Sequence, residues 1–232
     1  MLSHHSFSQF NDSTNHFFNY SGSGTLNSTE NSRVLIFNNV VRFSIKRKDL
    51  ILNSYNSWMY GTQKENLVNN DFSSALDVNL YKTWKHFNYW GLATYDKSFS
   101  LRIRNRYQVG IGAAYDILHK EHFTVNVSEG MIYEQSNVRL DDSTNRFNKT
   151  LRNSLRLKHR LSWNKRVAFE GTHYLQNSLS TKGDYILKSN TTLLITVTKG
   201  LHITGSLIYN RLNLTKRENL TTTFGVSMEK YF

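Results

Sequence analysis

From about residue 15 to the C-terminus, apolar and polar residues alternate in long runs separated by polar breaks, and no run keeps helical period. Period two marks strands whose side chains point alternately to opposite faces. The runs lie near 15–24, 33–46, 49–61, 72–84, 86–96, 99–118, 122–136, 146–162, 165–177, 185–198, 200–213 and 219–232, which makes about 12 strands. Strands of soluble domains typically have about 5–6 residues, whereas one crossing a membrane at a tilt needs about 9–11. These runs have membrane-crossing length.

The breaks follow a second rule. Tight ones fall at Arg47–Asp49, Trp84–His86, His119–His122, Trp163–Lys165 and Lys199–Gly200. Between them come longer polar stretches, "TLNSTENS", "TQKENLVNND", "NVRLDDSTN", "SLSTKGD" and "LTKREN", with "YDKS" the short exception. Short turns at one rim and longer loops at the other predict an all-β fold: a closed antiparallel up-and-down transmembrane β-barrel over residues 15–232. An even strand number puts both termini at the short-turn rim, which is periplasmic in outer-membrane barrels.

Two strands display the faces most clearly. In "FSLRIRNRYQVGIGAAYDI", Phe99, Leu101, Ile103, Tyr107, Val109, Ile111, Ala113, Tyr115 and Ile117 oppose Arg102, Arg104, Arg106, Gln108, Gly110, Gly112 and Asp116. In "FNKTLRNSLRLKHRLSW", Phe147, Leu151, Leu155, Leu157, Leu161 and Trp163 oppose Arg152, Ser154, Arg156, Lys158 and Arg160. A soluble sandwich would show the same alternation; strand length and loop asymmetry favour the barrel, with the apolar face on lipid and the polar face inside. Trp84, Tyr89, Trp90 and Trp163 near the short turns, with Trp58 and Tyr60 near a longer loop, read as aromatic girdles. Asn39 and Glu129 interrupt the apolar face, as a protein-contact surface or as bulges that shift parity.

Composition narrows the picture. The chain has 232 residues, 38% hydrophobic and 13% aromatic, with a mean hydropathy of −0.53. No stretch approaches the apolar length of a transmembrane helix, and the aromatic content opposes disorder. With no cysteine there is no disulfide or thiolate chemistry, and with no proline the turns fall to Asn, Asp, Ser, Gly and Lys. Residues 1–14 form a tail in which "HSFSQ" resembles the end of an export signal cleaved near Gln9.

The net charge of +12 and pI near 9.8 would suggest nucleic acid in a soluble protein. Here much of the charge falls on the short-turn rim (Lys46, Arg47, Lys48, Lys85, Lys120, Lys165, Arg166, Lys199 and Lys230) or inside, so nucleic acid is not the expected partner. A basic rim suits anionic outer-membrane lipid headgroups, each Lys or Arg contributing about 1 kcal/mol near such a surface, or another envelope protein or peptidoglycan. The longer loops carry Glu65, Asp71, Asp141, Asp142, Asp184 and Glu218.

The interior basic cluster, Arg102, Arg104, Arg106, Arg152, Arg156, Lys158 and Arg160, allows two readings. It pairs with Asp77, Asp116, Glu134 and Glu170 to fill the barrel, or its surplus cations line a small anion-preferring pore. A search for hydrolase chemistry gives little: Ser154 and His159 have opposite parity, as do Glu170 and His173, and His202 with Ser206 is the one nucleophile and base pair on a shared face. The cluster His4, His5 and His16 lies in the tail region and lacks the fixed geometry of a metal site. No catalytic residue, metal or cofactor is expected.

The chain resembles the salt-induced outer-membrane proteins grouped under a domain of unknown function. The resemblance runs from "NYSGSGTLNSTENS" onward, through "FNYWGLATYDKSFSLRIRNRYQVGIGAAYDIL" and "NTTLLITVTKGLHITGSLIYN" to "TTTFGVSMEKYF". Its motif positions are Gly91, Tyr95, Gly110, Gly112 and Tyr115. It implies an outer-membrane barrel and carries no catalytic residue. The last strand also resembles the C-terminal signal read by barrel-assembly machinery, with Phe224, Val226, Met228 and Phe232 in place and Lys230 where an apolar residue is usual. The expected role is a non-enzymatic structural or accessory envelope protein, alone or as a subunit with other outer-membrane proteins.

Overall fold

Twelve strands close on themselves in the computed structural model, which describes residues 15–28, 33–84, 86–120, 122–141, 144–163 and 166–232. They are β1 (His16–Ser28), β2 (Arg33–Arg47), β3 (Leu50–Gln63), β4 (Asn66–Trp84), β5 (Phe87–Ser98), β6 (Ile103–His119), β7 (Phe123–Arg139), β8 (Asn145–Trp163), β9 (Val167–Ser178), β10 (Tyr185–Thr198), β11 (Leu201–Leu212) and β12 (Arg217–Tyr231). Each pairs antiparallel with its chain neighbours, and β1 pairs with β12, Phe17 opposite Tyr231 and Gly24 opposite Phe224. The closure ends on two backbone hydrogen bonds between His16 and Phe232, donated by each to the other's carbonyl at 2.8 and 3.0 Å. No edge strand is left, as a sheet in hydrocarbon requires.

The outer wall is apolar around the circumference: Phe18, Phe37, Leu76, Tyr89, Ile111, Leu155, Phe169, Leu193, Ile203 and Phe224 are all exposed. Exposed Trp58, Tyr60, Tyr89 and Trp163 take the girdle positions. A soluble fold would bury such residues, so the exposed belt identifies the outer face as the one that meets lipid.

Three expectations change. The segment "TQKENLVNND" is mostly strand: β3 and β4 meet in a two-residue turn at Lys64 and Glu65, whose φ values of 47° and 68° match the twist of a tight hairpin. The β5–β6 break lies at 99–102, directly after "YDKS", because Arg102 takes a positive φ of 58° and turns the chain there. Register shifts between Ile103 and Asn105 then reverse parity. Leu101 and Ile103 consequently point inward, Arg104 points outward, and Arg102 sits in the loop donating to the Leu140 carbonyl at 3.2 Å. Trp90, assigned to a girdle, faces the interior and is buried.

Candidate functional site

The barrel interior divides into two halves. In the half nearer the longer loops, Asp96 of β5 accepts from Arg106 Nε and Nη2 at 3.0 and 2.6 Å and from Ser73 Oγ at 2.6 Å. Lys188 of β10 reaches the same carboxylate at 3.4 Å from the far side of the barrel. Beside them Arg152 donates to both oxygens of Glu134 at 2.9 and 3.0 Å and to Asp184 Oδ2 at 2.8 Å. Gln108 bridges Glu134 at 2.7 Å and Gln176 at 3.0 Å. Three carboxylates thus meet three cations, and Arg106 and Arg152 are 2% and 0% exposed. Such depth is costly for charge unless paired and hydrogen-bonded, as these groups are.

Toward the loop rim an apolar layer covers this network: Leu101, Ile103, Val138, Ile186 and Leu212, with Leu140 and Leu214 packed against them. The loops are tied over it. Thr215 Oγ1 donates to the Leu101 carbonyl at 3.2 Å, Asn219 Nδ2 to Ser100 Oγ at 2.9 Å, and Asp71 accepts from Ser98 Oγ and Ser100 N at 2.9 and 3.1 Å. Sequence parity placed Leu101 and Ile103 on lipid; the β5–β6 turn and the bulge moved them into this layer.

Midway along the wall, Trp90 lies across β6 and β7 with Ala114, Ile132 and Leu92. Gly112 and Gly130 face one another in register, and a Cβ on either would strike the indole ring. These glycines make the groove that holds Trp90 inside. Its Nε1 donates to the Ala113 carbonyl at 3.3 Å.

The other half is wetter. A cavity of about 460 Å³ reaches the short-turn rim and is lined by Asn19, Arg42, Tyr55, Arg160, Arg166, His202 and Glu229 among others. Arg160 pairs with Glu170. Asp77 and Asp116 take the amides of Asn53 and Asn126 at 2.6 and 2.8 Å rather than the arginines expected for them. Arg42 lies over Tyr55 and Arg156 over Trp90, ring centroids 5.5 and 5.8 Å away. Of the seven predicted interior cations, the structure therefore brings Arg106 and Arg152 into the buried network and leaves Arg156, Lys158 and Arg160 in the wetter half. Arg102 and Arg104 are not in the lumen. The partners Asp96 and Lys188, and the lumen cation Arg42, were not singled out from sequence, although the parity of Lys188 with Asn190 and Thr192 was legible; Asp184, expected only as a loop acid, is buried as a partner of Arg152.

Ser206 and His202 do not face each other. Ser206 Oγ lies 2.9 Å from Thr192 Oγ1, while His202 contacts Thr196 at 3.1 Å and Glu229 at 3.2 Å. Ser154 points inward and His159 outward, where it stacks on His173 with centroids 5.3 Å apart. Among the described residues no group of His, Asp and Glu is placed to hold a metal.

At the short-turn rim, Arg47, Lys48, Lys120, Arg166, Lys199 and Lys230 are exposed and Lys46 is half-buried; Lys85 and Lys165 lie outside the described residues, as do Asp142 and the tail 1–14. Phe224, Val226 and Met228 face outward on β12 with Lys230 in line, and Phe232, just past the strand, is exposed. Asn39 and Glu129 also face outward without a bulge at either position: Tyr20 donates to Asn39 at 2.9 Å and Asn153 to Glu129 at 2.8 Å.

The fold is shared with solved barrels of low sequence identity. The NanC porin aligns with a TM-score of 0.55 at 10% identity, over 93% of this chain and 99% of that one. The translocator domain of the autotransporter NalP from Neisseria meningitidis aligns at 0.54 and 10% identity, over 94% and 89%. An outer membrane channel from Pseudomonas putida F1 aligns at 0.52 and 12% identity, over 94% and 96%. No curated protein matches the sequence. The profile of a family described as protein of unknown function, DUF481, matches residues 37–229, and the chain belongs to that family.

Proposed function

We propose that this protein is an integral outer-membrane barrel of the non-enzymatic kind, a structural or accessory component of the envelope whose lumen is filled at one end. The carrying observation is the cross-lumen bridge from Lys188 to Asp96, roofed by the Leu101–Ile103–Val138–Ile186–Leu212 layer. The longer loops face outward from the cell, and the short turns and both termini face the periplasm. The basic short-turn rim then meets anionic inner-leaflet headgroups, and the outward carboxylate of Glu129 meets a neighbouring outer-membrane protein, since ionisable groups at membrane depth generally face protein or water. Barrel-assembly machinery grips the Phe232 end during biogenesis. Within the family, the salt-induced group fits this envelope role.

Planar-bilayer recording of the purified barrel tests the reading: no resolved conductance steps are expected. Steps with anion preference would favour the second reading, a small pore with an Arg- and Lys-lined lumen, for which the lumen cations Arg42, Arg156 and Lys158 and the likeness to porins speak.

A further inference from the structure

The two halves of the lumen treat their cations differently. Arg106, Arg152 and Lys188 each have a carboxylate within ion-pair distance. Arg42, Arg156 and Lys158 have none among the described residues, although all three point into the same interior and the nearby carboxylates Asp77 and Glu170 are engaged by Asn53 and Arg160. Aromatic faces hold two of them: Tyr55 beneath Arg42 and Trp90 beneath Arg156. A cation over an aromatic face gains no hydrogen bond there, so the guanidinium N–H groups are left to other acceptors. The Arg156 Nε is buried and has no hydrogen-bond partner among the described residues. Lys158 is water-accessible yet enclosed by the wall, within electrostatic range of Arg156 and Arg42, which repel it, and of Asp77 and Glu170, which attract it. Like charges gathered in a partly enclosed space are unfavourable unless a counter-charge joins them.

We infer that Arg42, Arg156 and Lys158 form a binding site for a phosphate or phosphoryl group, reached from the short-turn rim through the cavity that Arg42 lines. Three positive charges are offset only in part by Asp77 and by Asp116, which lies in register with Asn126 and Lys158, so a net positive charge is left for the anionic phosphate to neutralise. Arginine forks grip phosphate oxygens in pairs and lysine serves as a point charge, so the mixed set suits phosphate geometry. The group comes either from a free periplasmic phosphate compound or from a phospholipid headgroup. Binding here does not depend on conduction through the other half, so ligand affinity and conductance fail separately.

The test uses the full chain folded in a phosphate-free detergent. Titration with inorganic pyrophosphate, followed by calorimetry and by tryptophan fluorescence, is expected to saturate. Lys158→Gln and, separately, Arg42→Gln each weaken binding at least tenfold, while Lys199→Gln at the rim leaves it unchanged. Folding of each variant is verified by heat-modifiable electrophoretic migration. In parallel, lipid phosphorus retained by protein purified from native membranes is measured: phosphorus lost in Lys158→Gln identifies the headgroup as the source, and pyrophosphate binding without retained lipid identifies the free compound. Absence of both saturable binding and retained phosphorus overturns the site, as does equal binding by wild type and a folded Arg42→Gln/Lys158→Gln double variant.

Discussion

Lys188 on β10 and Asp96 on β5 meet across the barrel, Nζ 3.4 Å from Oδ2, and four strands separate them along the wall on one side, six on the other. A contact of this kind cannot form in a lumen wide open at that level. It joins the Arg106–Asp96 pair, in which Nε and Nη2 both donate to Oδ2 at 3.0 and 2.6 Å, so one carboxylate holds cations from two separate walls.

Asp96→Asn removes the charge shared by Arg106 and Lys188 and leaves a buried guanidinium unpaired. Breaking a buried pair from one side costs about 3–5 kcal/mol. Lys188→Met costs about 1 kcal/mol or less, since its side chain is 30% exposed and the contact is long. Urea unfolding of the barrel in detergent or lipid checks the order; equal losses from the two variants would contradict the arrangement.

Gly112→Ala collides with the Trp90 ring and with the Glu129 carbonyl, whereas the nearest atom to a Cβ on Gly91 is the Gly110 oxygen at 4.0 Å. Overpacking of this sort costs about 1–3 kcal/mol. Gly112→Ala is therefore expected to lower stability and shift tryptophan emission toward the solvated wavelength, with Gly91→Ala close to wild type in both.

Glu129 presents a carboxylate on the lipid face, held by the Asn153 amide at 2.8 Å. A photo-crosslinking residue placed at Glu129 is expected to give an adduct with another outer-membrane protein in native membranes. The same residue at Ala93, outward on β5, is expected to give none. Adducts from neither position would count against the accessory-subunit reading.

Phe232 closes the ring, bonded to His16 through the backbone and stacked on its imidazole at 5.6 Å with planes 6° apart. Deleting Phe232 is expected to reduce the assembled, heat-modifiable form in the membrane. Lys230→Leu leaves assembly intact, because it restores an apolar residue on the outward face of β12. The reverse result would contradict a terminal assembly role for Phe232.

The alternation of polar and apolar positions by itself determined the architecture: strand number, antiparallel order, the lipid and lumen faces of β8 and β12, and the pairing of the two ends. Period two is a local property of the backbone, and a chain of membrane-length strands has closure as its way to satisfy every edge. Glycine at 110 and 112 marked an unusual strand, but that Gly112 and Gly130 make a groove for Trp90 required the register of three strands. Parity failed where a turn or a bulge intervened, as at Arg102 and Arg104, because one added residue reverses every side chain beyond it. Only the closed ring decided which charges meet. Asp96 and Lys188 lie 92 positions apart in the chain, and nothing local relates them. The same closure decided that Arg106 and Arg152 are paired and buried while Arg42, Arg156 and Lys158 remain without a carboxylate, since ion pairing depends on distance across the lumen rather than on position along a strand.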